Sequence, residues 1–194
     1  MNINISYGEA LDRLTILEIK EKNIVEVERR KYILDELKLY DCMNVTKEKY
    51  KIFYDILYIT NKLIWDLTNI IKDISYTHSD YTKISYQIFE LNQTRFRMKN
   101  IINILSNSST REQKSYKKIN ITFYIKEHYD NLLFDVYYGL IWNDSAKLII
   151  GSSIHLPEYI NNIVDIEIND NIETNIPIDT NSNNYKMWFK ELNT

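Results

Sequence analysis

Arg95 is the residue that first demands a chemical explanation. Helical spacing read through Ile84, Ile88, Leu91, Met98, Ile102 and Leu105 calls for an apolar side chain at its position. An unpaired guanidinium on such a seam costs several kcal/mol, roughly, even after relaxation. Arg95 must therefore meet something negative, from its own chain or from a ligand. The same helix face carries Asn92, Lys99 and Asn103. Near the N-terminus Glu9 and Asp12 stand one turn apart, and Asp12 interrupts a row that continues through Ile16 and Ile19. These two patches are the ones expected to meet.

Two chemistries follow. In the preferred one, Asp12 or Glu18 neutralises Arg95, and Glu9, Asp12 and Glu18 belong to a buried ion-pair network that sets the register of the helices. In the rival one, Asn92, Arg95, Lys99, Lys114 and Tyr116 line a cleft for an anionic group such as a phosphate or sugar-linked diphosphate. Arg95 then supplies a bidentate fork and the lysines point charges. Glu9 and Asp12 could work as an acid/base pair only in two different environments. Ser6 lies three residues before Glu9 and Ser109 three before Glu112, so both glutamates read as capping-box members. No catalytic residue is assigned.

Other chemistry finds little support in the spacing. His78, His128, His155 and Cys42 lack any H-x-x-x-H or C-x-x-C arrangement, so no metal or cofactor is expected. Gly151-Ser152-Ser153 has neither G-x-G-x-x-G nor the P-loop lysine and reads as a strand-ending turn, and Ser152, Ser153 and His155 show no nucleophile elbow. Lysine and tyrosine interleave from Lys47 to Tyr58 and near Lys114 to Lys118, but a net charge of −3 and a pI near 5.7 weigh against nucleic acid. Trp65 reads as core rather than as a stacking platform.

The elements that must position these residues are mainly α. With 194 residues, 44% hydrophobic, 3 Gly, 2 Pro and 1 Cys, the chain reads as folded and without a disulfide framework, in a reducing cytoplasm. The 32 Ile, 22 Asn, 18 Lys and 16 Tyr point to AT-rich coding, as in a giant virus or an AT-rich bacterium, and host cytoplasm or a virion is the viral version of that location. No eighteen apolar residues run together and no signal segment opens the chain, so no membrane is expected.

Residues 1–118 are expected to form an antiparallel three-helix hairpin or bundle. The first helix starts at the Ser6 box and runs to about Leu39, with Ala10, Leu11, Leu14, Ile16, Leu17, Ile19, Ile24 and Val27 covering two sides. Thr46 is read as the N-cap of the second helix, whose row is Phe53, Ile56, Thr60, Leu63, Leu67, Ile70 and Ile74. The polar turn Tyr76 to Asp80 leads into the Arg95 helix, and a short helical segment with Lys114 and Tyr116 follows Ser109. Residues 119–194 are expected to form a small acidic α/β module. Its strands are 121–126, 146–150 and 164–168, with helices over 130–142 and 185–192 and a loop over 170–184. Residues 1–118 hold 20 basic and 16 acidic side chains and residues 119–194 hold 4 and 11, so the two parts attract. A first helix apolar on two sides also suggests a protein partner or a homodimer through that helix.

The stretch Gly8-Glu9-Ala10-Leu11-Asp12-Arg13-Leu14-Thr15-Ile16-Leu17-Glu18-Ile19-Lys20 resembles the opening G-E-x-x-D-[KR]-[IL]-T-I-L-E-I-K of an uncharacterised helical family from bacteria and giant viruses. Asn61-x-x-Ile64-Trp65-Asp66 is similar to its N-x-x-L-W segment. Asn92-x-x-Arg95-x-x-x-Lys99-x-x-x-Asn103 and Glu112-Gln113-Lys114-Ser115-Tyr116 are similar to two later blocks, for a span of about residues 3–118. Thr68 and Asn69 replace an acidic pair of the pattern, and Gln93 replaces an aspartate. The resemblance implies a helical domain without an established activity, whose members occur beside sugar-transfer and surface-polysaccharide proteins. The expected function is a non-enzymatic interaction or accessory module; the alternative is a glycan-processing protein or sugar-nucleotide-dependent transferase remnant with a sugar-phosphate ligand on Arg95 and Lys99.

Overall fold

The computed structural model describes residues 4–110, 112, 120–128, 132, 136 and 145–173. It is mainly helical with a small parallel sheet, and it divides into two compact units, Met1–Glu112 and Gln113–Thr194.

In the first unit α1 spans Tyr7–Asn23, α2 Val27–Leu39, α3 Asn44–Lys49, α4 Lys51–Asp73 and α5 Ser79–Leu105, with a 3-10 turn at Asp41–Met43. The expected long first helix is therefore two helices. Asn23 turns its side-chain amide back to donate to the Ile19 carbonyl at 2.6 Å, and Ile24 leaves the helix in an extended conformation. A short polar side chain competing for a backbone carbonyl, followed by the β-branched pair Ile24 and Val25, is enough to end the helix. Arg13 then grips Glu36 through two hydrogen bonds of 2.7 and 3.0 Å, so α2 returns along α1. Val27, assigned above to the apolar set, is exposed. Thr46 lies inside α3 rather than capping the next helix, since α3 starts two residues earlier and α4 begins at Lys51.

α4 and α5 form the expected antiparallel hairpin, and α1 lies against both. Leu11, Leu17, Ile19, Ile56, Leu57, Met98 and Ile102 fill the core between the three helices. The second side of α1 is met by α2 of the same chain, which answers within one molecule the need that suggested a dimer through this helix. Trp65, expected in the core, is only half-buried on the part of α4 that α1 does not reach.

In the second unit β1 (Asn120–Ile125), β2 (Ser145–Ile150) and β3 (Asp165–Ile168) form a parallel sheet in the order β1-β2-β3. Phe123, Ile125, Leu148 and Ile150 are buried together with Leu132 and Val136, two helical residues between the first two strands. The expected helices over 130–142 and 185–192 and most of the 170–184 loop lie outside the described residues.

Candidate functional site

The polar site of the helical unit begins with one glycine. Gly8 sits where α1 crosses α5: a Cβ there would fall inside the van der Waals envelope of the Lys99 carbonyl oxygen and 2.8 Å from Asn103 Oδ1. With no Cβ, its N–H donates to Asn103 Oδ1 at 2.7 Å. The neighbouring orphan amides of the first turn are also met, Tyr7 N by Ser108 Oγ at 3.2 Å and Glu9 N by Ser6 Oγ at 3.1 Å. Ser108 is held in reach by the way α5 ends. Asn107 adopts φ 52°, and Ser108 N and Asn107 N return to the carbonyls of Asn103 and Ile104 at 2.9 and 3.1 Å, a Schellman closure. The α1 N-terminus, which could have attracted an anion, has its first amides occupied by the end of α5.

One turn along α1, Asp12 receives Arg95. Nε lies 2.8 and 3.0 Å from the two carboxylate oxygens and Nη2 2.5 Å from Oδ2. Asn61 of α4 adds a donor to Asp12 Oδ1 at 2.8 Å and one to Thr15 Oγ1 at 2.7 Å, while Thr15 donates to the Asp12 carbonyl at 2.7 Å. Asp12 is thus bonded from two helices, with its side chain 3% exposed against 28% for Arg95. These hydrogen bonds from the guanidinium to Asp12, more than the opposing burial, raise the Arg95 pKa further above its usual value.

Lys99, with a side chain only 10% exposed, sits between two acids: Nζ is 2.7 Å from Glu9 Oε1 and 2.6 Å from Glu112 Oε2. Burial would lower the Lys99 pKa, but hydrogen bonds to Glu112 and Glu9 outweigh it and the net shift is upward. An upward shift makes the stabilisation complete below the unfolded value of 10.5 and removes it as pH rises through the folded value. The stability difference between the wild type and Lys99→Gln is therefore expected to stay constant from about pH 6, where the paired acids are ionised, to about pH 10 and to shrink above that. Urea titrations at stepped pH check this, and a difference that already narrows between about pH 6 and pH 9 would contradict it.

The site unites Gly8, Glu9, Asp12, Asn61, Arg95, Lys99, Asn103 and Glu112. Three departures from the sequence-based reading stand out. Glu18 belongs elsewhere: it pairs with Lys47 at 2.7 Å, and Lys47 also lies 4.5 Å from the Tyr54 ring centroid. Asn92 bonds the Ile88 carbonyl of its own helix at 2.9 Å and, among the described residues, takes no part in the network. Glu112, read as a capping carboxylate, is instead a counter-charge of Lys99, beside Glu9, a residue expected in the ion-pair network. Lys114 and Tyr116 lie outside the described residues. The sequence-based reading left Thr15 and Asn61 out of the site. Asn61 sits one position from the Thr60 seam and within a motif block, a signal that only the crossing of α1 makes legible.

Charge decides what the site can do. Among the described residues three carboxylates face two cations, a surplus of one negative charge, and each cation is engaged by an acid of the chain. An incoming phosphate would have to displace a bidentate carboxylate and oppose that surplus. Among the described residues no group of three or more His, Cys, Asp and Glu side chains is arranged to hold a metal ion. The interleaved lysines and tyrosines engage one another, with Lys22 over Tyr58 at 4.9 Å and Lys49 over Tyr50 at 5.1 Å, and Tyr50 and Tyr54 are buried. No helix among the described residues is long and apolar enough to cross a membrane.

In the second unit the Gly151 turn is filled by the chain itself. The Ser152 N–H donates to Asp170 Oδ1 at 2.7 Å, which lowers the Asp170 pKa, and a Cβ on Gly151 would lie 2.6 Å from the Lys126 carbonyl oxygen. A carboxylate stands where a bound phosphate would place an oxygen. His155 is exposed, with Nδ1 3.0 Å from the Ser153 carbonyl, the geometry of a turn.

Comparison of the chain with protein-family models, with curated proteins and with solved structures finds no match.

Proposed function

We propose that this protein is a non-enzymatic interaction or accessory module whose polar constellation is a structural lock between α1 and α5. The observation that carries this reading is the internal neutralisation of both cations, Arg95 by Asp12 and Lys99 by Glu9 and Glu112, in a cluster whose described side chains hold three carboxylates to two cations. A network of this kind specifies one register among the many that an apolar seam alone would accept, which is the best-attested use of buried ionic groups. Each quoted motif block contributes at least one residue to this lock, Gly8, Glu9 and Asp12 from the first, then Asn61, then Arg95, Lys99 and Asn103, then Glu112, and this supports the resemblance to the uncharacterised helical family. The lock leaves the outer faces of the helices for a partner.

Thermal unfolding in the presence of nucleoside diphosphate sugars, inorganic phosphate and pyrophosphate tests the reading. At ligand concentrations a thousandfold above a functional Kd, a true site would add about 4 kcal/mol of stability. The expected result is no shift. A saturable shift abolished by Lys99→Ala would replace this reading with the sugar-phosphate alternative, because then the guest outcompetes the chain's own acids.

A further inference from the structure

β3 stands at one end of the strand order β1-β2-β3, and among the described residues β2 is its only neighbour. One bond fixes the direction of its backbone groups. Asn169 N donates to the Ile150 carbonyl at 2.9 Å, so that amide faces β2. Peptide groups alternate in direction along a strand. Those of Asp165 and Glu167 therefore face β2 as well, and the N–H and C=O of Ile166 and Ile168 face away from it. Among the described residues these four outward groups have no partner. The strand is exposed over most of its length, and Ile168 is 68% exposed.

β2 shows which chemistry suits a neighbour of β3. Lys147 lies in register with Asp165, and its Nζ is 2.5 Å from Glu167 Oε2. Leu148 and Ile150 lie in register with Ile166 and Ile168. One face of β3 thus carries two carboxylates served by a single lysine of β2, and the other carries two isoleucines covered from the β2 side. Asp165 has no ion pair among the described residues. A strand laid on the free edge would meet the same alternation of acid and apolar side chains that β2 answers with a cation and two aliphatic residues.

We propose that the free edge of β3 docks an extended cationic segment of a partner protein, which joins the sheet as its fourth strand. Its lysine or arginine side chains lie beside Asp165 and Glu167, and its apolar side chains lie beside Ile166 and Ile168. In such an addition the backbone bonds supply affinity and the alternate side chains supply specificity. This rests on the interaction-module reading and gives it a partner. Charge selects the occupant: residues 165–173 hold four acids and no base. The β3 strand of a second copy would set acid against acid, which destabilises cross-strand pairs. The β1 strand of a second copy would bring Thr122 where β2 has Lys147, and so no cation.

Amide hydrogen exchange of the full chain, read residue by residue by NMR, tests the proposal with the synthetic peptide acetyl-Lys-Val-Lys-Val-Lys-Val-amide at up to about 1 mM. The Ile166 and Ile168 amides are expected to exchange freely in the chain alone and at least about tenfold more slowly with the peptide bound. The same peptide with Glu in place of Lys is expected to bind at least about tenfold more weakly. Ile168→Pro removes an outward donor and no bond to β2, a change that edge strands tolerate, and is expected to weaken binding of the lysine peptide by at least about tenfold. Asp165→Lys is expected to abolish the preference for the lysine peptide, and keeps the test open should the proline variant lose structure. Three results overturn the proposal: edge amides that no peptide protects, equal protection of the wild type by both peptides, or edge amides already protected in the chain alone and released on dilution, which would give the edge to a second copy. None of them touches the lock, whose own failure would be seen as ligand-induced stabilisation in the thermal assay.

Discussion

Arg95→Met is expected to lower the unfolding free energy by about 3–5 kcal/mol, the range seen when one member of a buried pair is removed. The loss is large because the carboxylate left behind is the more buried partner: the Asp12 side chain is 3% exposed and, among the described residues, keeps only the Asn61 amide as a side-chain donor. Asp12→Leu is expected to cost less, about 1–3 kcal/mol, since the Arg95 side chain is 28% exposed and can carry its charge toward water. The double variant Asp12→Leu/Arg95→Met removes both charges and leaves an apolar pair of similar volume, with the Asn61 amide still partnered by Thr15. Its loss is expected to be well below the sum of the singles, with a coupling energy of about 2 kcal/mol or more. Urea titrations of the four proteins measure the cycle. Additive losses would mean that the two side chains do not neutralise one another, and the lock would fail with them.

Gly8→Ala is expected to destabilise by about 3 kcal/mol or more, at or above the upper end of overpacking losses. In an open helix the same change would stabilise by roughly 0.5–1 kcal/mol, so the sign itself is diagnostic. The obstacle is the backbone carbonyl of Lys99, which cannot swing away as a side-chain tip can. Relief requires α1 to withdraw, and withdrawal stretches the Gly8 to Asn103 hydrogen bond and the Glu9 to Lys99 pair together. Adding Asn103→Ala should deepen the loss, because it removes the acceptor for Gly8 N without moving the carbonyl. If Asn103→Ala instead restores stability, the side chain was the obstacle and the close backbone approach is not required.

The contrast between the two halves of α5 shows how far periodicity carries. The row from Ile84 to Leu105 is legible as a helix, and its bounds, Ser79–Leu105, agree with the polar turn at one end and the Ser106 to Ser109 stretch at the other. Burial along that row is not legible: Ile84 and Ile88 follow the same spacing as Met98 and Ile102, yet only the latter pair is buried, because α1 crosses the hairpin beside Arg95 and Asn61 and carries Lys22 back to Tyr58 without passing over the former. The break at Ile24 escaped for a related reason. The apolar period continues through it, and the competing hydrogen bond from Asn23 to Ile19 is a local choice that hydrophobic spacing does not encode.

What the sequence determined alone was the kind of element and the existence of a debt of charge. Repeats of 3.6 and 2 residues are properties of the backbone, so helices over the first part and strands near 121, 146 and 165 could be read from a few neighbours at a time. An arginine on an apolar row needs a counter-charge wherever the chain goes. Which acid answers was decided by the tertiary structure. Arg95 and Asp12 are 83 residues apart in sequence, and the choice of Asp12 over Glu18 depends on where α1 crosses α5, a point set by the missing Cβ of Gly8. The second acid on Lys99 was decided the same way, since Glu112 reaches it only after the turn at Asn107 reverses the chain. Long-range pairing follows from the crossing of packed elements, and that crossing is fixed by contacts which no window of neighbouring residues contains.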